Sequence, residues 1–201
     1  MSNPESIGPA DSFVERERRR LVYEVGNCIM SWAGVEHSLC LLFMSLMKLP
    51  IENAVAIWDS IVSLEAKLSM LNVVVRQNTT DTDILPIWDK IFVRISKKYR
   101  KRHEIAHGCI MVINDERIVF VPYGTMTSIF DSAGRRLSAD QIAQRNKSFH
   151  ELGRAIEWIT TSVPLRRDNA VAALPEAPDL VRQLQTLIAQ TPVGMPPPPQ
   201  S

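Results

Sequence analysis

At 201 residues, with 45% hydrophobic, 6% aromatic and 22% charged side chains, the chain has the size and composition of one globular domain with tails. A net charge of +1 excludes a global field drawing the molecule to nucleic acid or membrane, so any such affinity must come from a local patch. Met1 to Ser12 carries Pro4, Glu5, Gly8, Pro9 and Asp11 and no apolar run, which reads as a disordered start (1–12) rather than a signal peptide. The longest apolar run, Leu39 to Leu46, is too short to span a bilayer. Cys28, Cys40 and Cys109 are widely spaced and read as reduced core thiols; the expectation is a cytoplasmic protein with no membrane attachment. Asn78-Thr79-Thr80 matches a glycosylation pattern but means nothing without secretion.

The first periodic segment carries Leu21, Val25, Cys28, Trp32, Val35, Leu39, Leu42 and Leu46 at alternating steps of four and three, the spacing of a bundle helix. Asp11 or Ser12 can cap its start, Gly26 and Gly34 are points where it can bend, and Pro50 forbids continuation. A second helix is expected through Ala54, Ile57, Ile61, Leu64, Leu68, Leu71 and Val75. A third begins near Leu85-Pro86 with Trp88, Ile91, Phe92, Ile95 and Tyr99 on one face, and Gly108 is its natural stop. Cys109 to Ile113 and Arg117 to Tyr123, separated by Asn114-Asp115-Glu116, read as a hairpin. After a turn-rich stretch, Ser138 and Gln141 form a capping box with Leu137 and Ile142 as its hydrophobic staple. That helix continues through Phe149, Leu152, Ile156, Ile159 and Val163, with Pro164 as its expected end. A proline-punctuated linker, a short helix over Asp179 to Gln190 and a disordered tail complete the chain, and removing 166–201 is expected to leave stability nearly unchanged. The expected architecture is all-α: an up-and-down helical bundle over 13–163 with a β-hairpin inserted before the last core helix, then the 164–201 extension.

The chemically pointed stretch is Lys97 to Gly108, where two of the four histidines follow Lys97, Lys98, Arg100, Lys101 and Arg102. Part of this is ordinary: cations in the last turns of a helix are stabilised by its dipole, and a charge run is commonly a solvated face. At 100° per residue, Lys97, Lys101 and Glu104 point away from the apolar stripe, whereas Arg102, His103 and Ala106 fall within ~60° of Tyr99, on it. An arginine and a histidine on the buried side of a helix require partners: a carboxylate, a carbonyl, an interface or a ligand.

His103-Glu104-Ile105-Ala106-His107 is literally H-E-x-x-H, in which two imidazoles one turn apart hold Zn²⁺ and the glutamate acts as base. The context disfavours a zinc hydrolase. Arg100, Lys101 and Arg102 crowd the ion, and Ile110 and Ile113 occupy the positions of the extended pattern's glycine and third histidine. Glu116, His150, Glu151 and Glu157 are conceivable third ligands that no motif places.

Arg102 to Gly108 also resembles the R-N-x-x-A-H-G segment of the HEPN superfamily (higher eukaryotes and prokaryotes nucleotide-binding), with its R-x4-6-H pattern. Arg102 and His107 match the ends of the pattern, and His103 stands where asparagine, aspartate or histidine is usual. A first helix with Trp32-Ala33-Gly34-Val35-Glu36, and a second with Ile57-Trp58, Ser63 and Lys67, extend the resemblance over 15–163. It implies an all-helical fold and a metal-independent endoribonuclease or RNA-binding protein of toxin or defence type. Arg102 and His107 would be catalytic in a homodimer's cleft, with His103, Lys98 and Arg100 on the RNA, Glu36 in support of Arg102, and no cofactor or metal. Chemistry suits these residue types. Attack by the RNA's own 2′-hydroxyl needs a base that titrates near neutrality and a permanent cation on the scissile phosphate. A catalytically silent dimerisation module of the same type is the rival expectation. Members silenced by nucleotidylation carry a tyrosine where this chain has Cys109, so that regulation is not expected here.

Overall fold

The computed structural model describes residues 13–79, 82–113, 117–124, 136–167 and 175–190. The expected disordered start, the hairpin turn 114–116, the turn-rich stretch 125–135 and the proline tail lie outside these residues. The fold is all-α with one small sheet: α1 (Phe13–Met47), α2 (Ile51–Ser60), α3 (Leu64–Asn78), α4 (Ile84–Ala106), β1 (Cys109–Ile113), β2 (Arg117–Val121), α5 (Ala139–Arg167) and α6 (Asp179–Ala189). The chain divides into two compact units, residues 1–33 with 99–149 and residues 34–98 with 150–201, so α1, α4 and α5 each contribute to both.

In the first unit, Leu21, Cys28 and Trp32 of α1 are buried, and Phe149 of α5 meets the Trp32 ring edge-on at 5.2 Å. The hairpin pairs β1 and β2 antiparallel, with Cys109 opposite Val121 and Ile113 opposite Arg117. On its other edge, Phe120 exchanges both backbone hydrogen bonds with Leu137 (3.2 and 2.9 Å), which delivers the chain to α5. The capping box forms there as expected: the Ser138 amide donates to Gln141 Oε1 at 2.9 Å, and the Gln141 amide donates to Ser138 Oγ at 3.2 Å.

The second unit corrects three expectations. The single helix read over Ala54 to Val75 is two helices, broken at Ile61 and restarted by Ser63, whose hydroxyl accepts from the Ala66 amide at 3.1 Å. Ala54 and Trp58 face inward on α2 while Ile57 is 41% exposed. Pro164 does not end α5, which runs on to Arg167. A proline inside a helix removes its own N–H and orphans the carbonyl four residues back, that of Thr160; Ser45 of α1 donates to that carbonyl at 3.5 Å.

The third correction is α6. Its Leu180, Val181 and Leu184 are each no more than 4% exposed, and Trp158 Nε1 donates to the Pro175 carbonyl at 3.0 Å. The expected indifference to truncation therefore reverses. Full burial of such side chains contributes about 1.5–3 kcal/mol each, so ending the chain at Arg167 should lower the melting temperature by more than ~5 °C. Thermal melts of the two lengths check this.

Averaged over its length rather than counted as one run, α1 contains an 18-residue window long and apolar enough to cross a membrane by composition, of which 44% is buried inside the protein.

Candidate nucleic-acid site at the end of helix α4

The C-terminal turns of α4 rotate differently from the sequence wheel. Ile105 takes the inward position at 1% exposed, and two residues back from it on a helix is 200° round. His103 is therefore exposed instead of lying on the buried stripe, and His107 is exposed one turn further on. Glu104, expected to point to solvent, is only 23% exposed, with Arg145 of α5 at 3.3 Å and Lys101 at 3.4 Å.

Two structural devices assemble the site. Gly108 lies where β2 closes on the helix end: a Cβ there would sit 2.3 Å from Phe120 Cζ and 2.7 Å from the Val121 carbonyl oxygen. Glycine is thus required by close approach, and Gly108 is not among the described residues with positive φ. Just beyond β2, the Tyr123 amide donates to the Glu104 carbonyl at 2.9 Å, satisfying one of the carbonyls the helix end leaves open. That bond brings a phenol to the two imidazoles. The ring centroids of His103 and His107 are 4.5 Å apart, and Tyr123 lies 5.4 Å from the first and 5.8 Å from the second, edge-on to His103. Tyr123 is 52% exposed, so the three rings form one solvent-facing group. No motif announces Tyr123; its role depends on a hairpin folding back onto a helix end.

Arg102 is half-buried, and its Nε is buried with no hydrogen-bond partner among the described residues. Leaving such a donor unpaired costs about 1–3 kcal/mol. Arg102 and His107, five residues apart, stand ~140° apart round the helix, and the rings His107 meets are those of His103 and Tyr123. Lys98 is half-buried and Arg100 exposed on the same helix. Glu36 belongs to the second unit, where it lines a cavity with His37, Cys40, Trp58, Asp59 and Lys67, the last lying 5.3 Å over the Trp58 ring. No group of three or more His, Cys, Asp or Glu gathers for a metal among the described residues.

Burial disfavours the reactive form of two of the three thiols. Burial pushes Cys28 up to about 11, with Arg145 opposing and Glu24 adding, and burial also raises Cys40, helped by Asp59 against Lys67. Since the thiolate is the reactive form, a raised pKa keeps both protonated at pH 8. An aromatic disulfide reagent should then titrate Cys109, which is half-buried, well before the other two, and unfolding in guanidinium should release all three. Time-resolved absorbance with a Cys109→Ser control reads this directly.

Comparison with family models, curated proteins and solved structures finds no significant match for this chain.

Proposed function

We propose that this protein is a metal-independent endoribonuclease of the HEPN type, acting on single-stranded RNA as a cytoplasmic homodimer in a toxin-like or defence role. The observation that carries the reading is the exposed His103–His107–Tyr123 ring group at the basic end of α4, next in sequence to an arginine with an unpaired buried nitrogen. Exposed rings beside cations suit single-stranded RNA, whose unstacked bases stack on aromatic faces while Lys and Arg hold the phosphates.

The chemistry follows from the residues. One imidazole, His107, takes the proton of a ribose 2′-hydroxyl, and the 2′-oxygen attacks the adjacent phosphorus. The bond to the 5′-oxygen breaks, and that oxygen receives a proton from the second imidazole, His103. The products are a 2′,3′-cyclic phosphate and a free 5′-hydroxyl. Arg102 neutralises the phosphate oxygens as charge builds on them, with Lys98 and Arg100 holding the flanking backbone. A two-fold axis supplies the convergence that ~140° of helix denies within one chain, Arg102 of one copy serving His107 of the other.

The test is incubation of the full chain with a mixed single-stranded RNA pool in EDTA, with product ends mapped. Cleavage leaving cyclic phosphate supports the reading. A clean preparation that neither cuts nor binds RNA would favour a silent interaction module. Light scattering at micromolar concentration should give twice the 22.7 kDa chain mass; a monomer removes the composite site.

A further inference from the structure

The rings of His103 and His107 stand at a spacing that one metal ion can bridge. A borderline metal ion bonds imidazole nitrogen at ~2.0–2.1 Å, and ~1.1 Å more reaches the ring centre, so two imidazoles on one ion have centroids ~4.5 Å apart at the right angle of an octahedral ion and ~5.2 Å apart at the tetrahedral angle of Zn²⁺. The two rings stand 4.5 Å apart, both are exposed, and the helix fixes them one turn from each other. With no third His, Cys, Asp or Glu joining them among the described residues, water would complete the coordination. Glu104 between them is engaged by Arg145 and Lys101, so it is neither a ligand nor a base for bound water.

We infer that His103 and His107 together bind one Zn²⁺ or Ni²⁺ ion, and that this ion switches off the site rather than activating it. The second half of the statement rests on the nuclease reading above; the first does not. A bound ion occupies the nitrogen lone pair through which each imidazole would accept a proton, so neither can act as base or be recharged as acid. Selectivity follows from ligand type: imidazole suits Ni²⁺ and Zn²⁺, affinity rises from Mn²⁺ through Co²⁺ to Ni²⁺, and the oxygen-preferring Mg²⁺ and Ca²⁺ do not compete. Lys97, Arg100, Lys101 and Arg102 repel a dication, so added salt, which screens them, tightens binding instead of weakening it. That sign is opposite to an ion held by surface carboxylates.

The experiment is calorimetric titration of the tag-free full chain with zinc chloride and nickel chloride, using His103→Ala, His107→Ala, His37→Ala and His150→Ala. One equivalent is expected. Loss of either motif histidine should weaken binding by at least ~10-fold, since removal of a mere supporting group already costs that much, and the other two variants should stay within twofold of the parent. No binding by the parent, or retention in either motif variant, overturns the chelate. In the RNA assay repeated without EDTA, zinc should inhibit the parent in step with its measured occupancy. A chain that binds zinc in this way but cuts no RNA keeps the chelate and loses the nuclease. One that cuts RNA without binding zinc loses the chelate alone, and full activity at full occupancy overturns the switch.

Discussion

His107→Ala should slow RNA cleavage by a hundredfold or more, the scale expected when a positioned base is removed, without lowering the melting temperature, because the ring is exposed. Arg102→Ala should cost as much through loss of the phosphate clamp. Arg102→Lys should recover only part of it: an ammonium keeps the charge and lacks the planar fork that meets two phosphate oxygens at once. Arg102→Ala also removes the unpaired buried Nε, so the variant should melt no lower than the parent despite its lost activity. Glu104→Gln separates chemistry from packing. Its carboxylate holds Arg145, which is 14% exposed, so the change should cost about 1.5–3 kcal/mol, the range for hydrogen bonds to charged groups, and leave the rate within a few-fold. A zinc hydrolase would show the reverse, with activity collapsing in Glu104→Gln and on chelation. Initial rates in EDTA and thermal melts, taken on the same preparations, decide between them.

Gly108→Ala should be the most damaging Gly→Ala change among the described glycines of the first unit. The added carbon meets the Phe120 ring at 2.3 Å, and Phe120 is 1% exposed, held on both edges by Ile110 and Leu137. The Val121 carbonyl at 2.7 Å is backbone and cannot rotate away. Overpacking of this kind costs about 1–3 kcal/mol, or a fall of several degrees in melting temperature. Activity should fall further than stability, because displacing β2 moves Tyr123 and its bond to the Glu104 carbonyl. Comparing Gly108→Ala with Tyr123→Ala at a temperature where both are folded tests that link. An Ala variant that melts with the parent would show that β2 gives way without cost.

The elements legible in the sequence are those closed by neighbours in the chain. The capping box is complete within four residues, and α1, the hairpin strands and the start of α4 follow from spacing and β-branching. Features that depend on distant partners were not legible. The apolar period from Ala54 to Val75 continues across a three-residue link, so one helix and two look alike until Trp58 rather than Ile57 turns inward. The site divides the same way. Arg102, His103, His107, Lys98 and Arg100 share one run of sequence, but the outward turn of His103 depends on Ile105 claiming the core, and Tyr123 arrives only through the hairpin. Glu36 falls in the other unit.

Pro164 has a further consequence for the order in which the chain becomes protected. The last turn of α5 lacks an internal bond at Thr160 and leans on the Ser45 hydroxyl, 115 positions away. The turn past Val163 thus lacks one bond of its own, and the Ser45 end of α1 supplies it. Amide protons of Leu165 to Arg167 should exchange with solvent together with those around Ser45, as one cooperative opening, while the capped first turns at Ser138 hold independently. Ser45→Ala should then loosen residues far along the chain and leave the amides of its own turn almost as slow as before.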